Sequence, residues 1–567
     1  MMIRPSSRLT DSQIPRHGLS KGDEGVPKQG RSELKALLPC PEQTLDKDPW
    51  DGAEVPDVSE WTELPRTDVA VVGAGLGGIN AAWRLQEEGA EVSLYERTKH
   101  LGGRIRSTKI ENEAPVEMGA MRYIPSLHPK MKALVEEELK IPTENFVVSD
   151  PDSLRYFRGV RMTSEEVAQH PEKRPYFLRP QEKDKSMSEL LSMAIEAVVP
   201  GFESLSQQEW ERVKREQTVP IETVHGGVEN VPLSQLGIRN VLSHTLSEEA
   251  VQLVTDSIGY EIFMKNWNAG EALDDLAASF KPNTIYKSVP NGMQTVPQTM
   301  ALQFEGAGGD IKTNHTLRRV EYDPNAGFLL QFSDMQGKSS FYGADRVVLG
   351  LPKEPLKDIV EQSPDIQSSQ LEHNLEKVEA IPMTKLFAVY DEPWWTEDNI
   401  EEGRSITDLP LGQVYYHGNS EQEDPFILVY SDGKDSDYWK GFQNASDPGV
   451  DKRLCVKPAL AAELHEQLEE LHGRELPAPK AMLYKRWGSE YIGGAHHIWE
   501  AGSEPEESAS YMIQPDQTMP LYICGEAYSM TQGWMEGAME SSDLVLEEMK
   551  KDSLQAPDSK QARTASE

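Results

Sequence analysis

The order of apolar and polar positions divides this chain into strands, helices and a polar middle section. Val69-Ala-Val-Val72 is a continuous apolar run, the pattern of a strand buried on both faces. A glycine turn follows, and Ile79, Ala82 and Leu85 then recur at helix spacing. Residues 91–96 form a second strand pattern that ends on an acid, Glu96. Residues 187–199 predict a helix with Leu190, Leu191, Ala194 and Val198 at helix spacing, and 207–217 and 247–257 repeat that character. A helix over 298–304 and a strand-like segment over 310–322 come next, then strands over 328–332 and 346–350. Residues 383–389 alternate as a strand carrying one lysine, Lys385, and 413–416 and 427–430 predict further strands. A last strand over 521–525 leads into a closing helix that begins near Gln532.

The turn after Val72 reads Gly73-Ala74-Gly75-Leu-Gly-Gly78. Gly73 and Gly75 permit a tight turn and bring the backbone close to a diphosphate, while Gly78 lets the helix pack against the strand. Glu96 stands where a carboxylate accepts both ribose hydroxyls of an adenosine. Strand, turn, helix, strand and acid arrive in order, so the segment predicts dinucleotide binding. Leu101-Gly102-Gly103-Arg104 and Glu117-Met118-Gly119-Ala120-Met121-Arg122 then follow. With these motifs the chain resembles the flavin-containing amine oxidoreductase family, and within it the L-amino acid oxidases. Gly525-Glu526 and Gln532-Gly533-Trp534-Met535 carry the same resemblance near the other end, so it spans about residues 65–550.

The resemblance implies FAD and a mixed α/β fold: a discontinuous Rossmann-like FAD-binding domain, a β-rich substrate domain and a helical insertion. It places the FAD domain at 65–122, 289–350 and 505–550, the substrate domain at 123–185 and 351–504, and the helical domain at 186–288. The implied flavin contacts are Gly73, Ala74, Gly75, Gly78, Glu96, Arg97, Gly103, Arg104, Gly119, Ala120, Met121 and Arg122. Leu317, Gly525, Glu526, Gly533, Trp534 and Met535 complete that set.

The activity implied is oxidation of an L-amino acid by hydride transfer from Cα to flavin N5, oxygen then leaving as hydrogen peroxide. The products are a 2-oxo acid and ammonia. Holding the substrate carboxylate calls for a guanidinium fork, and Arg122 matches the family's arginine. A tyrosine hydroxyl assists; neighbours on a strand point oppositely, so only one of Tyr415 and Tyr416 serves, and Tyr416 is favoured. Lys385 is either a snorkelling strand residue or, as the resemblance implies, the holder of a water near N5. Trp534 and the Gly533 carbonyl belong to the substrate cage, and Ala495 to the side-chain end of the pocket. Asp274 and Asp275, leading to Phe280 at the implied entrance, are either solvated helix acids or partners for a distal cation. The second choice points to long substrates such as lysine and arginine. An amino-acid 2-monooxygenase, an amine oxidase and a non-catalytic binding module remain alternatives.

Composition narrows the partners. The chain has 567 residues and a formal charge of −37, which argues against nucleic acid and against an anionic membrane surface. Its three cysteines, Cys40, Cys455 and Cys524, have no paired spacing and predict neither a disulfide framework nor a zinc site. Residues 1–60, rich in Ser, Pro, Gly, Lys and Asp, predict a disordered or loosely docked arm or a pro-segment, and 554–567 a disordered tail. No apolar run resembles a signal or a membrane span, which points to the cytoplasm; a homodimer is the expected assembly.

Overall fold

The computed structural model describes residues 50–109, 115–222, 227–279, 284–418, 424–443, 456–488 and 493–555. Its first sheet has seven strands. Arg66–Val72 lies near the middle, paired in parallel with Val92–Tyr95 on one side and Ser339–Leu349 on the other. Asp310–Lys312 extends the sheet beyond Val92–Tyr95, and Leu521–Ile523 runs parallel to the C-terminal part of Ser339–Leu349. Gly327–Ser333 and Thr316–Asp323 complete it as antiparallel strands. Val69, Ala70, Val71 and Val72 are all buried, as an apolar run covered on both faces requires.

The segment 310–322, expected as one strand, is two strands at opposite ends of this sheet. Asn314 adopts a left-handed φ of 57° between them, and the extended path breaks there. The helix expected over 298–304 is longer, Thr295–Gly306. The closing helix starts later than expected, at Met535, because Gly533 takes a φ of 82°.

The second sheet also has seven strands, in the order Ala481–Trp487, Met383–Val389, Phe426–Asp432, Gln413–His417, Gly403–Thr407, Leu154–Phe157 and Val160–Thr163. Met383–Val389 is buried along its whole length between two neighbours. A third layer holds Met187–Val198, Gln207–Glu216, Ile238–Thr245, Glu248–Ile258 and Ala269–Ser279 around a shared apolar core. Ser186 with Glu189 and Ser206 with Glu209 form reciprocal capping boxes, which fix where two of these helices begin. The layer also contains a hairpin, Thr218–Glu222 with Val228–Pro232, that helix periodicity did not suggest.

Of the expected N-terminal arm, residues from Trp50 onward are docked, and 1–49 lie outside the described residues. At the other end the last helix runs to Gln555, so it takes in the first two residues of the expected tail; 556–567 lie outside the described residues. Cys40 and Cys455 also lie outside them, while Cys524 is free and buried, its thiol pushed up to about 12 by burial. Among the described residues no helix is long and apolar enough to cross a membrane.

The first helix packs tightly on the glycine turn at Gly78, where a Cβ would lie 1.9 Å from the Gly73 carbonyl oxygen. Both sides of that contact are backbone, so neither gives way. Gly78→Ala is expected to cost more than about 4 kcal/mol, read as insoluble protein or a collapsed unfolding temperature. Gly75→Ala, at φ −75° with nothing within 4 Å of the added methyl, is expected to fold.

Candidate active site

A cavity of about 740 Å³ runs over the glycine turn. Its floor is the N-terminal end of helix Leu76–Glu87, whose N-cap Gly75 supplies no side-chain cap, so the first-turn N–H groups are left for a ligand. Gly73 is held at a φ of 100°, and Gly102 and Gly103 at 104° and 58°, so both loops need glycine to turn here. At one end of the cavity the buried Glu96 carboxylate accepts from Ala74 N (3.0 Å) and from Thr98 N and Oγ1 (2.9 Å each). Burial pushes its pKa above the ordinary value despite these bonds. Arg97, Leu317, Gly525, Glu526 and Met535 also line this cavity.

At the other end Glu526 accepts from Arg104 Nη1 (2.8 Å), His497 N (2.9 Å), His497 Nδ1 (2.8 Å) and Gly533 N (2.7 Å). Because Nδ1 donates to that carboxylate, His497 Nε2 is a bare acceptor, buried without a partner. A glycine-rich floor with the Glu96 carboxylate at one place along it and Gly525-Glu526 at another fits an elongated dinucleotide such as FAD.

A second cavity of about 220 Å³ meets the first, sharing walls at Ala120, Trp487, Ala495, Gly533, Trp534 and Met535. Arg122 enters it boxed by the rings of Tyr286, Phe146 and Tyr415, at 4.8, 5.1 and 5.5 Å from its guanidinium carbon. Arg122 Nη1 donates to the Tyr415 hydroxyl at 2.8 Å. Arg404 Nη1 donates to the same oxygen at 3.0 Å, and the hydroxyl donates to Gln413 Oε1 at 2.8 Å. The Gln413 amide nitrogen is anchored on the Ile258 and Gly259 carbonyls, which fixes the direction of that acceptor. Burial opposes ionisation of Tyr415, but the two guanidiniums prevail and hold the phenol below its usual range.

Lys385 lies on the buried strand Met383–Val389 and turns its amine to the carbonyls of Glu117 (2.9 Å) and Gly119 (2.6 Å). Burial, with the charge of Arg122 added, brings its pKa down to about 7 against the pull of Glu117.

The profile of the flavin containing amine oxidoreductase family matches residues 76–545, and the chain belongs to that family. It uses FAD, for which the first cavity is shaped. The chain is 26% identical to Aplysianin-A of Aplysia kurodai, covering 85% of this chain and 90% of that one. It is 25% identical to achacin of Lissachatina fulica, covering 85% and 92%. An L-amino-acid oxidase of Demansia vestigiata is 22% identical, over 83% of this chain and 84% of the relative. The fold is similar to that of a putrescine oxidase bound to putrescine, with a TM-score of 0.59 at 18% identity over 86% of this chain and 99% of the other. The protein is therefore a flavin-dependent oxidoreductase of the amine oxidase type.

The structure brings Arg122, Lys385, Ala495, Gly533 and Trp534 to the two cavities and sets the buried Tyr415 behind Arg122, but not every expected residue reaches them. Tyr416 is corrected: strand alternation turns it to the opposite face, where its hydroxyl bonds Ser405 Oγ (2.7 Å) and His472 Nε2 (3.1 Å) in another core. Asp274 is corrected too, since its carboxylate pairs with the buried Lys214 Nζ at 2.9 Å. Asp275, the next position round the helix, lines the second cavity, and Phe280 lies outside the described residues. Arg404 and Gln413 were missed. Residues 403–407 contain a single large apolar side chain, Ile406, so no alternation announced a strand there.

The two tyrosines separate cleanly by experiment. Tyr415→Phe removes a hydroxyl shared by two guanidiniums and is expected to lower kcat/KM about tenfold or more. Tyr416→Phe should leave kcat/KM unchanged and lower only the unfolding temperature.

Proposed function

We propose that the protein is an L-amino acid oxidase that converts L-amino acids to 2-oxo acids with release of ammonia and hydrogen peroxide. The observation that carries this reading is Arg122. Its buried guanidinium faces the second cavity, and among the described residues the leading groups that set its charge are the tyrosines Tyr415, Tyr260 and Tyr286. A buried cation held chiefly against phenols is costly, and a ligand carboxylate answers it bidentately. A simple amine offers no such group, so the reading favours an amino acid over an amine. FAD supplies the two-electron acceptor for the hydride that leaves Cα.

This chain's own residues do the rest. Arg122 holds the carboxylate, with Tyr415 fixing the direction of its guanidinium, and Trp534 walls the pocket between the two cavities. The dry setting disfavours an ammonium ion, so the amine enters the reaction neutral without a strong side-chain base. Lys385 holds a proton near the reacting end with a pKa moved to about 7, inside the working range.

Asp275 favours a narrower second reading, selectivity for lysine or arginine. It is an acid in the wall of a cavity otherwise rich in cations, and a distal ammonium or guanidinium would meet it there.

Peroxide release measured against the L-amino acids, with product analysis for oxo acid against amide, tests the proposal. An amide product would instead make the protein a monooxygenase, and peroxide from putrescine alone an amine oxidase. Arg122→Ala is expected to lower kcat/KM by several hundredfold, because a desolvated charge-assisted fork is worth roughly 3–5 kcal/mol. The kcat profile should show a limb near pH 7 as the Lys385 ammonium gives up its proton with rising pH, and Lys385→Met should abolish that limb. Asp275→Asn should reduce turnover of lysine at least tenfold while sparing leucine; equal changes on both would remove the selectivity.

A further inference from the structure

Trp50 is a large apolar side chain left 39% exposed, yet its backbone neighbourhood is firmly docked. Its indole N–H donates to Ser339 Oγ at 3.2 Å. Asp51 N donates to the Gly337 carbonyl at 2.9 Å, and the Asp51 carboxylate accepts from Ser339 N at 3.0 Å and from Ser339 Oγ at 2.5 Å. Gln331 Nε2 then donates to the Ala53 carbonyl at 2.8 Å. These bonds tie a strap of four residues to the antiparallel strands Gly327–Ser333 and Ser339–Leu349 of the first sheet and to the turn between them, and hold the indole in place. The ring forms part of the wall of the larger cavity.

The neighbours of that ring say which end of the cavity it closes. Glu96, the acid at the ribose position, has its carbonyl bonded by His315 N at 2.9 Å. The chain continues from His315 through Leu317 to Arg318, all of them cavity-lining, and the Arg318 guanidinium lies 6.0 Å from the Trp50 ring. Trp487 and Trp534 line the part of the cavity that adjoins the second one. The flat group of FAD attached to the ribose is adenine, and an aromatic face held rigidly at that end meets a base by stacking.

We propose that Trp50 forms the outer wall of the adenine end of the FAD site, which makes the strap from Trp50 to Ala53 part of the cofactor-binding machinery. Base–aromatic stacking of this kind changes retention by about tenfold or more. The test follows FAD leaving the purified holoenzyme through the rise in free-flavin fluorescence. Trp50→Ala is expected to release FAD about tenfold faster, and Trp50→Phe, which keeps a stacking face, at close to the unchanged rate. Asp51→Ala, which undocks the strap without touching the ring, should move release in the same direction as Trp50→Ala. The visible spectrum of the bound flavin should stay the same in all three, because the isoalloxazine is remote from the substitutions. Release from Trp50→Ala within twofold of the unaltered enzyme would overturn the proposal. So would an altered flavin spectrum accompanying the faster release, which would mark a general disturbance of the site. If Trp50→Ala does not fold, unchanged release from Asp51→Ala overturns it equally.

Discussion

One buried carboxylate, that of Glu526, holds the parts of this site in register. Its four bonds reach the Gly-Gly-Arg loop through Arg104, the strand His496–Trp499 through His497, and the entrance of the closing helix through Gly533. Burial alone would raise its pKa, but Arg104 and His497 hold it well below the usual carboxylate range. An acid so placed stays charged under all working conditions and keeps its donors aimed. Without it Arg104 would lose its ion-pair partner, and removing one member of such a buried pair costs about 3–5 kcal/mol. The wall common to the two cavities, from Ala495 to Trp534, is built on this point.

The charge of the molecule and the charge of its site have opposite signs. The chain as a whole is at −37, while the second cavity receives Arg122, Arg404 and Lys385 and, among the described acids, Asp275. Low dielectric around the arginines strengthens their hold on an anion and drives the lysine toward its neutral form. The same environment therefore strengthens the grip on a carboxylate and weakens the hold on a proton.

The sequence was most legible where backbone geometry forces residue type. Gly73, Gly75, Gly78 and the acid at Glu96 announced the first cavity because few other residues satisfy that turn. Met383–Val389 has the bounds its pattern announced, but it is buried on both faces rather than alternately, Thr384 and Lys385 included. Tyr416 was favoured over Tyr415 because alternation says that neighbours oppose each other without saying which face is which. Asp274 and Asp275 looked equivalent for a related reason: Lys214, far away in the chain, decides which one is captured. Arg404 was invisible because its strand lacks an apolar signature, and its significance rests on a partner, Tyr415, eleven residues further on. Local rules gave elements; long-range pairings decided facing.

The discontinuity of the first sheet bears on how the protein is made. Asn80 Nδ2 donates to Ser542 Oγ at 3.2 Å across 462 residues, and Ser542 Oγ in turn donates to the Gly77 carbonyl at 2.9 Å. The first helix and the last are thus partners in one core that includes Ile79, Ala82, Val545 and Met549. A growing chain lengthens by about 5–20 residues per second, so the early helix waits roughly half a minute or more for its partner. Throughout that interval part of its apolar face lacks a cover, and the cradle for the diphosphate lacks Gly525, Glu526 and Gly533. A complete cofactor cradle thus belongs to the end of synthesis. The glycine turn is among the first parts of the site to be made and among the last to be finished.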